Sequence, residues 1–184
     1  MNFAKYISNY DKHLNNAENQ KKLKLIINKI NNLKRSNKKL IILGNGGSSA
    51  SASHLMVDFT KQAKIKTINF NETSLITAFS NDYGYENYLE KALKFYSKKG
   101  DLIIFLSVSG NSKNLKNALK YCNKKKLFSI SFTGHKINNF LNKNSSISLH
   151  VPSFAYNIVE CIHLIYLTYI VDFIVGKEVY KVNK

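Results

Sequence analysis

A chain of 184 residues that is 44% hydrophobic and 12% aromatic is long enough to bury a full core and too apolar to be disordered. Its net charge of +17 invites a nucleic-acid reading, but Arg35 is the only arginine, and nucleic-acid surfaces favour arginine for bidentate contacts. The lysines are spread among many asparagines instead, which predicts a solvated basic surface and no nucleic-acid partner.

Residues 3–36 carry a helical pattern with many polar positions, and Leu23, Leu25, Ile26, Ile27 and Ile30 supply its apolar stripe. A helix this polar at its start predicts an N-terminal extension, residues 1–36, that packs in an oligomer. Residues 39–43, KLIIL, predict a strand running into GNGGSS, followed by a helix over 49–62 with Ala52, Leu55, Met56 and Phe59 on one side. A second strand is expected at 67–70. Residues 75–79 are apolar and lead into a turn at 80–85 that opens a helix through Tyr96. The third strand is expected at 102–106, a helix at 113–121, the fourth strand at 127–132, and the fifth at 147–151, closed by Pro152, the only proline. Residues 158–175 form the last helix. Alternating strands and helices predict one α/β domain over 1–184: a three-layer αβα sandwich around a five-stranded parallel sheet, in the flavodoxin-like order 2-1-3-4-5.

Cys122 and Cys161 lie far apart in no CxxC pattern, so neither a disulfide framework nor a cysteine metal site is expected. The stretch MNFAKYISNYDKH has no apolar signal-peptide core. Glu160, His163 and Asp172 interrupt the greasy run at 158–175, and ionisable groups are costly in lipid. The chain therefore reads as a soluble, cytoplasmic protein without a membrane partner, and the last helix as a core or subunit-interface helix.

Two loops stand out. GNGGSS follows the first strand and SVSGNS the third, and the expected order places those strands side by side at the topological switch point, where ligands bind. In the second loop Ser107, Ser109 and Ser112 are broken by Gly110, directly before a helix whose N-terminal N–H groups favour an anion. Glycines such as Gly46 and Gly47 let backbone approach a ligand closely, and hydroxyls add donors around phosphate oxygens. Neither loop matches a nucleotide-binding pattern, so no nucleotide is expected. Asp82, in SNDYGYEN, either orients a sugar hydroxyl or caps a helix from Tyr83 onward; spacing alone favours the cap.

LGNGGSSASASH, FSNDYGYEN, GDLIIFLSVSGNSKNLKNAL and SFTGHK, in this order, resemble the sugar-isomerase (SIS) domain family, and within it the phosphoheptose isomerase branch. The resemblance spans residues 40–176. It implies a homotetramer with active sites built from neighbouring subunits. It also implies isomerisation of sedoheptulose 7-phosphate to a heptose 7-phosphate for the heptose of bacterial surface polysaccharides such as lipopolysaccharide. On the matching positions it assigns phosphate contacts to Ser107, Val108, Ser109, Asn111 and Ser112, and sugar contacts to Asn45, Ser48 and Asp82. Catalysis in this branch is a zinc-supported proton transfer from a His-x3-Glu helix, which here becomes His54 and Asp58. Spacing i, i+4 puts both on one helical face. Aspartate keeps the carboxylate but shortens its reach by one methylene, and proton abstraction depends on placement.

Aligning His163 with the first histidine of the family's last helix puts Glu160 at a glutamine position and Thr168 at the catalytic histidine, and Asn157 replaces an aspartate. The family's general acid is therefore missing. The resulting expectation is a phosphosugar isomerase in which Asp58 moves a proton between C1 and C2, with His54 and Glu160 holding metal or substrate. His54, Asp58 and Glu160 either bind zinc or another divalent metal or form a polar cluster without one. His163, on so apolar a helix, reads as a packed core histidine. The alternatives are a non-catalytic phosphosugar-binding or scaffold protein of the same fold, and an isomerase for a different ketose phosphate.

Overall fold

The computed structural model describes residues 2–179; Met1 and residues 180–184, the ends of the expected domain, lie outside the described residues. Five strands, β1 (Leu40–Leu43), β2 (Thr67–Ile68), β3 (Leu102–Ser107), β4 (Phe128–Thr133) and β5 (Ile147–His150), form one parallel sheet in the order β2-β1-β3-β4-β5. The strands are apolar because helices cover both faces. Period-two alternation divides their side chains: Leu40, Ile42, Ile104 and Phe132 face one layer, and Ile41, Leu43, Ile103 and Phe105 the other.

The first layer holds α2 (Ala17–Lys34), α3 (Gly46–Lys61) and α8 (Tyr156–Val175), with α1 (Phe3–Leu14) packed against α8. The second holds α5 (Tyr88–Tyr96) and α6 (Lys113–Lys124), with α4 (Thr73–Tyr83) and α7 (Phe140–Asn144) at its margins. Each fully buried Leu, Ile or Phe in these layers stabilises by about 1.5–3 kcal/mol. Buried Asp101 registers the two strands that carry the glycine-serine loops. Its carboxylate accepts from the Lys39 and Lys98 amides at 3.0 and 2.7 Å and from the Lys39 ammonium at 2.6 Å.

Local chemistry departs from the expected elements in four places. The helix expected over 3–36 is two helices. They break at Asn15-Asn16, where the Asn16 side chain accepts from the Asn19 amide at 2.9 Å and starts α2. The turn expected at 80–85 is displaced to 84–87, where the Asn87 amide donates to the Gly84 carbonyl at 3.0 Å, because Glu72 caps a helix that continues through Tyr83 to Gly84 at φ 80°. Asp82 therefore lies inside the last turn of α4 and caps nothing; α5 begins only at Tyr88. The second strand is cut to two residues, and α7, too short for a periodic signal, is an addition.

Helix α8 is long and apolar enough to cross a membrane by length and composition, and its Val159, Ile162, Leu167 and Ile170 are fully buried against the sheet. On the same side His163 is buried, its ring edge set on Phe132 with centroids 5.9 Å apart. Nε2 donates to the Thr133 carbonyl at 3.3 Å, and Nδ1 is buried without a partner. Burial pushes this histidine down to about 4 from its ordinary 6.5. The folded protein resists a proton that the unfolded chain accepts, so the stability is fully present above pH 6.5 and is lost as pH falls toward 4. At 1.36 kcal/mol per unit this amounts to about 3 kcal/mol. Urea denaturation across that window should show the loss, and His163→Gln should flatten it; an unchanged slope would mean that other groups set the acid sensitivity.

Candidate active site

Loop chemistry at the carboxyl ends of β1 and β3 builds the site. After β1, a Cβ at Gly44 would stand 2.7 Å from the Ser48 carbonyl carbon, so only glycine lets α3 start this tightly. Helix α3 begins at Gly46 rather than at Ser49, with φ +53° at its first residue. Its N-cap, Asn45, makes no side-chain capping bond, because the amide is used across the rim. Asn45 Nδ2 donates to Asn114 Oδ1 at 3.0 Å, and Asn114 Nδ2 returns a bond to Asn45 Oδ1 at 2.8 Å. This reciprocal pair, with Asn114 buried and Asn45 half-buried, ties the first loop to the start of α6.

After β3 the chain turns on itself. Ser107 Oγ accepts from the Gly110 amide at 3.1 Å, and Ser109 Oγ from the Asn111 amide at 3.2 Å. Asn111 Oδ1 accepts from the Phe140 amide at 3.1 Å, fastening the loop to α7. Ser112, the N-cap of α6, makes no side-chain capping bond. Helix α8 likewise enters at Ala155 without a side-chain cap. Three helix N-termini without an N-cap side-chain bond thus meet at one place, an anion-favouring geometry, although in α6 the Leu115 amide already donates to Asn114 Oδ1 at 2.9 Å.

They enclose a cavity of about 90 Å³ lined by Asn45, Ser48, Leu106, Ser107, Val108, Ser109, Ser112, Tyr156 and Glu160. Glu160 sits against α3, where Ser48 Oγ donates to its Oε1 at 3.1 Å and where any Cβ at Gly47 would collide with the carboxylate. A larger cavity, about 460 Å³, lies elsewhere, between α5 and α6, and its wall of Lys94, Lys120, Lys124 and Lys125 contains none of the expected site residues.

The sequence-predicted residues divide accordingly. Asn45, Ser48, Ser107, Val108, Ser109, Ser112 and Glu160 come together, with Gly46 and Gly47 in the α3 turn beside them and Asn111 bracing the loop. Asp82 is exposed on α4, accepts from Asn81 Nδ2 at 3.0 Å, and does not line the cavity. His54 and Asp58 pair through Nε2 and Oδ2 at 3.2 Å on a half-open face of α3. At about 1.5 Å per residue they lie roughly 9 and 15 Å along the helix from Ser48. Thr168 donates back to the Leu164 and Ile165 carbonyls at 3.0 and 3.1 Å, so its hydroxyl serves its own helix. Asp172, one turn on, is shifted up by burial first, then by Glu178 and by Asp58, which sets the Asp58 face toward the carboxyl-terminal half of α8.

The expected metal triad does not assemble within one chain. His54 and Asp58 satisfy each other and Glu160 is held by Ser48; among the described residues no three His, Cys, Asp or Glu side chains converge. Within one chain these donors do not fit a three-ligand metal site. Cys122 is buried, its thiol pushed up to about 12 by burial, so it is no nucleophile at neutral pH.

Three contributors escaped sequence reasoning. Asn114 carried no signal beyond being an asparagine in a helical first turn. Tyr156 and Tyr85 carried no individual signal in the sequence, yet Tyr156 lines the cavity and the Tyr85 hydroxyl donates to Asn45 Oδ1 at 3.2 Å.

Comparison with known proteins places this geometry. Residues 2–134 match the SIS domain model. The chain is 33% identical over 152 residues to phosphoheptose isomerase 2 of Campylobacter jejuni, covering 79% of this chain and 75% of that protein. It is 32% identical over 154 residues to the phosphoheptose isomerase of Sulfurimonas denitrificans, covering 80% and 78%. The solved phosphoheptose isomerase of Neisseria gonorrhoeae superposes with a TM-score of 0.83 at 24% identity, over 94% of this chain and 97% of that one. That of Francisella tularensis gives 0.81 at 20% identity, over 96% and 100%. The chain belongs to the SIS-domain family, on its phosphoheptose isomerase branch.

Proposed function

We propose that this protein is an aldose–ketose isomerase for a sugar phosphate, converting sedoheptulose 7-phosphate to a heptose 7-phosphate for surface-polysaccharide heptose. One observation carries the reading: three uncapped helix N-termini and the Ser107–Ser112 loop enclose a phosphate-sized cavity, in a chain similar to named phosphoheptose isomerases. The phosphate sits on the hydroxyls of Ser107, Ser109 and Ser112 and on first-turn amides. Asn45 and Ser48 orient sugar hydroxyls, and Asp82 meets the distal part of the substrate. Asp58 takes the proton from one carbon and returns it to the other through an enediol, and His54 holds its carboxylate in place.

Asp58 lies too far along α3 to reach a sugar seated on its own chain's loops, so this reading needs a second copy to bring it there. Exposed Val57, Ile165, Tyr169 and Phe173 supply the apolar surface for such an assembly, and a homotetramer of single-domain subunits is the proposed state. The basic surface serves the anionic substrate and no nucleic acid, in the cytoplasm. A second reading, a phosphosugar-binding protein without catalysis, is favoured by Thr168, whose hydroxyl is bonded into its own helix.

The deciding experiment is proton NMR of sedoheptulose 7-phosphate in deuterium oxide, with zinc and with chelator. Isomerase activity exchanges the C1 proton with solvent. Intact phosphosugar binding without exchange would replace the enzyme by the binding protein.

A further inference from the structure

The cavity is far smaller than the 300–1,000 Å³ of sites that enclose a whole small molecule, so it takes the phosphate end only. The rest of any phosphosugar must lie across the mouth. Two exposed aromatic rings stand there, Tyr156 at 56% exposure and Tyr85 at 52%. Exposed rings on a free surface normally swing; these two are braced from behind. The Tyr156 ring meets the edge of His135 at 5.2 Å and 89°, and His135 is stacked on Phe154 at 4.9 Å and 26°. His135 is itself fixed, with its amide donating to the Ser153 carbonyl at 2.9 Å and its backbone at φ +54°, a conformation few side chains adopt. Tyr85 leans on buried Tyr88 at 5.2 Å while its hydroxyl holds Asn45. The rings therefore present fixed apolar faces beside a polar cavity, an arrangement that suits the C–H face of a sugar.

We propose that Tyr156, with Tyr85 held beside Asn45, is a sugar-stacking platform that packs on the carbon skeleton of the phosphosugar whose phosphate fills the cavity. This rests on the phosphosugar reading above and adds the element that separates a phosphosugar from phosphate alone. Asn45, Ser48 and Glu160 meet the hydroxyl edge from below, and the rings cover the C–H face from the mouth.

Isothermal titration of the full-length protein with two probes, inorganic phosphate and sedoheptulose 7-phosphate, tests it. Tyr156→Ala should weaken the sugar phosphate roughly tenfold and leave inorganic phosphate within about twofold. Tyr156→Phe keeps the ring and should match wild type on both probes. Phe154→Ala, which removes the ring behind His135, should give a smaller loss confined to the sugar phosphate. Equal weakening of both probes, or no weakening, in Tyr156→Ala overturns the platform while the phosphosugar reading stands on wild-type binding. A Tyr156→Phe loss as large as that of Tyr156→Ala assigns the effect to the hydroxyl and also overturns it. A wild-type protein that binds neither probe removes both proposals together.

Discussion

Asp58→Asn is expected to slow C1–C2 proton exchange by about 10²- to 10⁴-fold, the span that a positioned general base contributes. The amide is isosteric, keeps the pairing with His54 available, and cannot accept the proton. Asp58 is only partly buried, so folding should be untouched. Inorganic phosphate affinity should also be unchanged, because Ser48, where α3 meets the phosphate cavity, lies about ten residues of helix from Asp58. Equal loss of phosphate binding and exchange would show a misfolded site rather than a missing base. Asp58→Glu restores the side-chain length that the family pattern carries and should retain or raise exchange. The base reading fails if Asp58→Asn turns over at the wild-type rate.

The same variant tests whether sites are shared between copies. Ser109→Ala should weaken phosphate binding with the base intact, and Asp58→Asn should leave the loop intact without a base. If one subunit's loop works with another's Asp58, subunits of the two variants unfolded and refolded together regain exchange that neither has alone. Sites complete within one chain would give no recovery, and the roughly 15 Å of α3 between Ser48 and Asp58 would then need another explanation.

The sheet order was readable because β1 and β3 are buried on both faces, which forces continuous apolar runs such as LIIL and LIIFL. The two loops were readable because glycine and serine recur at the switch point for a physical reason, close backbone approach to an anion. What escaped the sequence depended on tertiary partners. Nothing local distinguishes an asparagine that breaks one helix and caps the next, as Asn16 does, from an asparagine on a helix surface. The apolar stretch before Asp82 was a whole helix because Glu72, three residues before its first apolar position, supplied the cap. Glu160 was expected to hold metal or substrate, but within its own chain it meets a serine hydroxyl and a glycine surface, and a spacing rule for ligands contains neither. Tyr156 escaped because its role comes from a bracing ring 21 positions earlier in the chain.

Gly110→Ala should destabilise the protein by about 2–4 kcal/mol and weaken inorganic phosphate binding by more than tenfold. Gly110 has φ +63°, where an L side chain costs about 1–2 kcal/mol. Its Cβ would also collide with the Asn139 side-chain amide, which has no room to yield. Asn139 is buried, donates to the Gly134 and Lys136 carbonyls at 3.3 and 2.9 Å, and accepts from the Asn142 amide at 2.9 Å as the cap of α7. Either Asn139 moves, losing a cap and two hydrogen bonds at about 1 kcal/mol each, or the serine loop moves and its donors no longer converge. Gly46→Ala is the matched control, since φ is +53° and no atom stands within 4 Å of the added Cβ. That variant should show the backbone strain alone, about 1–2 kcal/mol. Urea denaturation and phosphate titration of both variants separate the two contributions. If Gly110→Ala behaves like Gly46→Ala in both measurements, the contact between the phosphate loop and Asn139 does not hold the loop in its anion-binding shape. If it loses phosphate affinity with little loss of stability, the loop is the part that yields, and the link from α7 through Asn139 to Ser107–Ser112 is what keeps the donors aimed.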